Sequence, residues 1–348
     1  MPNTIPIPAV VLVNLATGED ELLRACAGME AIEAVPFRQG DAAARDLARA
    51  SVFVTSTQEY HPETAKRLVN EARRLEWIHS PNTGLENFHR YGVPAGVRLS
   101  HMPGRAAAQV AEHAMALMLG LVRGLPLLER NRANAAWARE RMVASMSSLI
   151  GRHLCLVGLG AIGRQVARRA RAFGMKITAV ATTARDDADV DRVVAVAELD
   201  AVLADADVLV LAVPIDSSTF HLLDARRLSL LKPSAILVNV SRGAVVDSNA
   251  LVDALRARRL AGAGLDVFET EPLPKESPLW QLAEVLISPH VAGVGGPEEL
   301  RVRALQIRQV LLNGISGLPL PGSARWVPDV RNPFQPDLRG TSSAGEGP

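Results

Sequence analysis

The chain is predicted to be an α/β protein built on a doubly wound parallel sheet, and three observations predict it. From residue 154 onward, short aliphatic runs alternate regularly with helical patterns. A Gly-x-Gly-x-x-Gly turn stands between one such run and the helix that follows it. The composition is 48% hydrophobic but only 4% aromatic, which suits helices packed on both faces of a sheet of aliphatic strands.

Taken in chain order, the first hundred residues place strands at 10–13, 52–54 and 77–78, with helices such as 19–27 between them. This predicts a small βαβ-type unit. The stretch "RAAAQVAEHAMALMLGLVRGLPLLERNRANAAW" then reads as a long helix, interrupted by Gly120, Gly124 and Pro126, followed by an arm able to pack on a second subunit. Strands are next expected at 154–157, 177–180, 208–213, 235–240, 262–266 and 285–287, with helical patterns between most of them. "PEELRVRALQIRQVLLNGI" predicts one more helix. The remainder from residue 323 is rich in Pro, Gly and Ser and is expected to be a flexible tail, ordered at most around Trp326 and Phe334.

A length of 348 residues allows two domains, each with its own core. The formal net charge of +1 implies neither nucleic acid nor an anionic membrane as a partner. No apolar run reaches the length of a bilayer span, and the start lacks the basic, small-residue pattern of a signal peptide. Cys26 and Cys155 form no metal or redox spacing, and Cys155 falls in a strand pattern as a core thiol. A reduced, cytoplasmic protein without a metal is the expectation.

The glycine turn carries specific chemistry. Gly158 permits the tight turn after the strand, Gly160 lets backbone approach a pyrophosphate, and Gly163 lets the helix pack against the sheet. The amides of Ala161 and Ile162 then face the phosphates from a helix N-terminus. A strand, a helix and a second strand surround the motif, which favours a dinucleotide site over a chance Gly-rich turn.

Four blocks, "VGLGAIGRQVARRARAFGM", "LAVPIDSSTFHLLDARRLSLLKPSAILVNVSRGAVVD", "LAGAGLDVFETEPLP" and "ISPHVAG", resemble the D-isomer-specific 2-hydroxyacid dehydrogenase family. The resemblance covers nearly all of the chain except the tail. It implies a Rossmann nucleotide domain at 105–289 inserted into a smaller flavodoxin-like substrate domain made of 1–104 and 290–322. It also implies a homodimer formed through the nucleotide domain and the arm at 132–142.

By the same resemblance, Arg242 binds the substrate carboxylate and polarises its keto oxygen, a task that suits a guanidinium with paired donors and permanent charge. His290 acts as acid/base, since imidazole exchanges protons near neutrality. Glu271 is the carboxylate that orients it. Asp266 matches a contact to the nicotinamide end of the cofactor, with a turn cap as the alternative role. Pro214, Val240, Ser241 and Gly293 fall in the matched blocks as cofactor-lining positions. His113 reads as structural, and His79, His101 and His221 show no metal spacing.

"WIHSPNTGLENF" resembles the loop whose amides receive the substrate carboxylate, through Asn82, Thr83 and Gly84. Asn82 stands where the family often has glycine; it is expected to adopt a left-handed turn, with Gly84 preserving the turn itself. Arg105 is either solvent-exposed or near the substrate.

At the tip of the second strand the family's ribose-binding acid is replaced by Ala181, followed by Thr182, Thr183 and Arg185. Loss of the acid removes repulsion of a 2′-phosphate, while hydroxyls and a cation would bind one. NADP is therefore expected, with NAD possible if Asp186 or Asp187 folds back onto the ribose. The family resemblance implies a small polar 2-keto acid, such as glyoxylate or hydroxypyruvate, as the substrate. Two alternatives are an NAD-preferring enzyme of the phosphoglycerate dehydrogenase type and a dinucleotide-sensing corepressor.

Overall fold

The computed structural model describes residues 8–38, 41–318 and 324–325. The predicted tail otherwise lies outside them, Trp326 and Phe334 included. The chain separates into two compact units, Met1–Arg105 with Gly296–Pro348, and Ala106–Gly295.

The first unit opens with β1 (Ala9–Asn14), α1 (Glu19–Cys26), β2 (Ile32–Pro36), α2 (Asp41–Arg49), β3 (Val52–Thr55), α3 (Pro62–Glu71), β4 (Trp77–Ser80), α4 (Glu86–Tyr91) and β5 (Arg98–His101). These strands are parallel in the order β5-β4-β3-β1-β2, the flavodoxin-like arrangement. Successive side chains of β1 serve opposite faces: Val11 and Val13 join one core cluster and Leu12 the other. β2 and β5 were not expected. Both are short, and β2 ends in Pro36 at the sheet edge, where a missing N–H is tolerated.

The second unit begins with α5 (Ala107–Val122), α6 (Leu125–Ala133) and α7 (Arg139–Ser145). Of the expected interruptions, Gly120 lies inside α5, whereas Gly124, with a φ of 67°, ends the helical region and Pro126 starts the next helix in its first turn. The alternation follows as β6 (His153–Val157), α8 (Ala161–Ala172), β7 (Lys176–Ala181), β8 (Arg192–Ala195), α9 (Leu199–Asp205), β9 (Val208–Leu211), α10 (Ala225–Leu228), β10 (Ile236–Asn239), α11 (Ser248–Arg256), β11 (Gly262–Leu265) and β12 (Val285–Ile287). All seven strands are parallel, ordered β12-β11-β10-β9-β6-β7-β8.

That order is doubly wound, and its switch point lies between β6 and β9. β6 is buried on both faces: Cys155 and Val157 join one cluster, Leu154 and Leu156 the other. Each such fully buried aliphatic side chain contributes about 1.5–3 kcal/mol relative to exposure. Burial pushes the Cys155 thiol up to about 12, so it stays protonated and inert.

The chain then returns to the first unit through α12 (Pro297–Ile315), which packs on α1, and through β13 (Ala324–Arg325), which pairs antiparallel with β5. Among the described residues no single helix is long and apolar enough to cross a membrane.

Candidate active site

The glycine turn occupies the switch point of the larger sheet. Gly158 follows β6 with φ 100°, a conformation costly for any residue with a Cβ. A Cβ on Gly163 would overlap the Gly158 carbonyl, so that glycine sets how closely α8 meets the strand. Gly160 differs, because a Cβ there would meet nothing within 4 Å. The fold itself leaves open space beside Gly160, so no packing contact requires glycine there. α8 begins at Ala161 with no side-chain cap, leaving the first-turn amides of Ala161 and Ile162 available to an anion. These residues fit a dinucleotide pyrophosphate.

β7 ends at Ala181, and Thr182, Thr183 and Arg185 follow it exposed. Among the described residues Arg185 makes no ion pair. Asp187 does not share that freedom: it pairs with Arg164 of α8 at 2.7 Å, with Asp189 joining Arg164 and Arg168. The Arg164 hydrogen bond holds the Asp187 carboxyl below its ordinary range.

Across the switch point, Pro214 follows β9 and its carbonyl accepts from the Thr219 hydroxyl at 2.8 Å. Val240 and Ser241 follow β10 and are buried.

The neighbouring strand ends carry Arg242, Glu271 and His290. Ser241 is fixed by Asn239, whose Oδ1 accepts from the Ser241 amide and hydroxyl at 3.0 and 2.7 Å. The Asn239 amide donates to the Arg242 carbonyl at 3.0 Å. Gly243 comes next, and a Cβ there would overlap the Phe268 carbonyl. Only glycine lets the loop after β11 lie against the Arg242 loop.

That loop presents Glu271. Its Oε1 accepts from the Phe268 amide at 3.0 Å, and its Oε2 lies 2.7 Å from His290 Nδ1. Burial by itself would raise the Glu271 carboxyl, but the His290 hydrogen bond and charge, the Phe268 amide and Arg242 together hold it below its ordinary value.

His290 has φ 53°, an unusual conformation for a residue with a side chain. Asp266, 1% exposed, holds it there. Its carbonyl accepts from the His290 amide at 2.8 Å, and its carboxylate accepts from Val291, Ala292 and Ser288. His113 reaches the same network, 2.7 Å from the Ser288 hydroxyl.

Residues 115–292 match the family model "D-isomer specific 2-hydroxyacid dehydrogenase, NAD binding domain". The chain belongs to the D-isomer-specific 2-hydroxyacid dehydrogenase family. It is 36% identical to a glyoxylate reductase of Thermococcus onnurineus over 75% of this chain and 80% of that one. A D-isomer-specific 2-hydroxyacid dehydrogenase family protein of Aeromonas salmonicida has a similar structure, with a TM-score of 0.77 and 30% identity, covering 91% of this chain and 98% of that one. An NADPH-dependent glyoxylate/hydroxypyruvate reductase of Sinorhizobium meliloti, solved with NADP and sulfate, gives a TM-score of 0.76 at 25% identity, covering 91% and 98%. The protein is thus an NAD(P)-dependent 2-hydroxyacid dehydrogenase with the family's NAD-binding domain.

For a 2-hydroxyacid dehydrogenase the larger unit gathers Arg242, Glu271 and His290 at neighbouring strand ends. Gly293 lies exposed one turn beyond His290. Asp266 sits behind His290 as the cap of its turn, with both carboxylate oxygens engaged by protein donors. Among the described residues no group of three His, Cys, Asp or Glu is placed to hold a metal.

The loop at 82–84 belongs to the smaller unit and corrects one expectation. Neither Asn82 nor Gly84 has a positive φ. Asn82 is held by its side chain instead: its amide nitrogen donates to Gln58 at 3.2 Å, and its oxygen accepts from Arg303 Nη2 at 2.6 Å. The Thr83 hydroxyl accepts from the Gly104 amide at 3.3 Å. Sequence reasoning missed Gln58 and Arg303. A signal for Arg303 exists, because it interrupts the buried stripe that continues through Ile307, Val310 and Gly314 of α12.

Proposed function

We propose that this dehydrogenase works as an NADPH-preferring reductase of small 2-keto acids, with Arg242, Glu271 and His290 as its catalytic groups. The observation that carries the reading is the Glu271–His290 contact of 2.7 Å beside Arg242. A dinucleotide held by its pyrophosphate at the glycine turn would supply, from its nicotinamide, a hydride for C2 of the keto acid. Arg242 draws the keto oxygen's electrons toward its guanidinium and binds the carboxylate. His290 donates its proton to that oxygen as negative charge develops, and Glu271 stabilises and orients the imidazolium that precedes transfer. In the reverse direction the neutral imidazole removes the hydroxyl proton.

The NADPH preference is supported by the loop after β7. Ala181 brings no carboxylate, Thr182 and Thr183 bring hydroxyls, and the exposed Arg185 brings a cation. Asp187 is engaged by Arg164, which weakens the route by which an acid would bind the ribose. The homodimer reading is supported by the exposed apolar residues of 125–150, where Trp137 is 95% exposed and Leu125, Leu128 and Val143 are exposed as well.

Initial rates on hydroxypyruvate, glyoxylate and pyruvate, each with NADPH and NADH, test the reading. Faster turnover with NADPH is expected, with A181D moving the preference toward NADH at least tenfold. A wild-type preference for NADH would overturn the cofactor assignment. Tight dinucleotide binding without turnover of any keto acid would overturn the enzyme assignment in favour of a sensor.

A further inference from the structure

The loop after β11 carries two glutamates, two residues apart, and each meets a histidine. Glu271 Oε2 lies 2.7 Å from His290 Nδ1, and Glu269 Oε1 lies 2.7 Å from His221 Nε2. Both histidines hold a left-handed backbone, with φ of 53° and 46°. A residue with a side chain stays in that region only where its surroundings over-determine it. The first pair takes part in the reaction proposed above; the second does not.

His221 lies between β9 and α10 and is fixed from the loop after β10. Its amide donates to the Ala244 carbonyl at 2.8 Å, and the Leu223 amide donates to Val245 at 3.0 Å. Its ring stacks on Phe220, with centroids 4.1 Å apart. Glu269 Oε1 also accepts from the Ser248 amide at 3.3 Å, at the start of α11. Glu269 thus ties three segments of the larger unit together: the turn after β9, the loop that begins with Arg242, and its own loop. The close approach of Gly243 to Phe268 and Glu269 backbone shows the last two already in contact.

The tether leads directly to Glu271. The Phe268 amide, one residue before Glu269, donates to Glu271 Oε1 at 3.0 Å, so the place of 268–269 sets the carboxylate that faces His290. A pair whose side chains are 34% and 32% exposed stabilises a fold little. What it fixes is where this loop sits.

We propose that His221 and Glu269 are positioning residues, which tether the loop after β11 and so set the reach of Glu271 to His290. The proposal rests on the reading in which Glu271 orients His290 for proton transfer.

The test uses steady-state rates with hydroxypyruvate and NADPH, and a fluorescence titration of the dinucleotide, in E269A, H221N and E271Q and their double variants. Asn tolerates a left-handed backbone and is shorter than His, so H221N cuts the tether without adding strain. E269A and H221N should each lower kcat at least tenfold, with dinucleotide Kd and keto-acid KM changing less than twofold. Together they should cost no more than either alone. In the E271Q background E269A should cost less than threefold, because the group it positions is gone. E269Q, which keeps an acceptor oxygen for His221 and the Ser248 amide, should recover part of the loss. If E269A does not fold, H221N in the E271Q background carries the comparison. Wild-type kcat in the tether variants, or a loss undiminished by E271Q, would overturn the proposal. A weakened dinucleotide Kd at unchanged kcat would overturn it in favour of a cofactor contact. Failure of the wild-type protein to turn over any 2-keto acid would overturn the underlying reductase reading instead.

Discussion

Asp266 holds His290 in a left-handed conformation from both ends of its own residue: the main-chain carbonyl takes the His290 amide, and the carboxylate takes the next two amides. A strained residue persists only where its surroundings over-determine it, and here a buried carboxylate with three donors does so. D266N replaces one acceptor oxygen with a carboxamide NH2, a donor facing donors. Losing buried hydrogen bonds of this kind costs about 1–3 kcal/mol. The variant should lose thermal stability on that scale and lose kcat at least tenfold, as measured by calorimetry and steady-state rates. Wild-type kcat in D266N would show that the turn does not depend on this carboxylate.

Removing the proton donor should be more severe than removing its orienting group. H290Q is expected to lower kcat by about 10²–10⁴, the usual contribution of a positioned acid–base group. E271Q should lower it less and alter the pH profile. The Glu271 carboxyl is held below its unfolded value of about 4.3, so the pair is intact above that pH and is lost only as pH falls through the lower, folded value. Wild-type activity should therefore show no carboxylate step at pH 5, and the limb at still lower pH should vanish in E271Q. An identical acid limb in the two proteins would contradict the assignment.

The glycine turn separates folding from binding. G163A places a methyl against the Gly158 carbonyl and should reduce thermal stability, whereas G160A meets open space and should melt like wild type. G160A should nonetheless weaken dinucleotide binding at least tenfold in a fluorescence titration. Unchanged affinity in G160A would remove the argument that this turn cradles phosphate.

Burial next to Arg303 and His101 keeps His79 neutral, with a folded pKa of about 3 against 6.5 ordinarily. The unfolded chain therefore binds a proton between these values that the folded chain does not. Stability must fall as pH drops below 6.5, by about 2 kcal/mol from this residue at pH 5. Denaturation at pH 7.5 and pH 5.0 should show that loss in wild type and a loss smaller by that amount in H79Q. Equal losses would mean that His79 is protonated in the native state.

Much of this arrangement was legible in the sequence because it is local. β6, the glycine turn and α8 occupy one continuous run, and the unbroken apolar run at 154–157 passes through the turn into helical spacing. Arg242, Glu271 and His290 each follow a strand of the predicted sheet, so motif and topology agreed. What was not legible depends on distant partners. The hold of Arg303 on Asn82 joins residues 221 positions apart, and Asn82 does without a left-handed turn because Gln58 and Arg303 fix its side chain. β8 was missed because Arg192–Ala195 is four residues long and follows a run of acids whose role, pairing with α8, is tertiary.

The most direct test follows one atom. Hydroxypyruvate is incubated with the protein and NADPH dideuterated at C4 of the nicotinamide, and the glycerate formed is analysed for isotope position and chirality. The account predicts D-glycerate with a single deuterium at C2 and a solvent-derived proton on the hydroxyl. Glycerate without deuterium at C2, or of the L configuration, would contradict it.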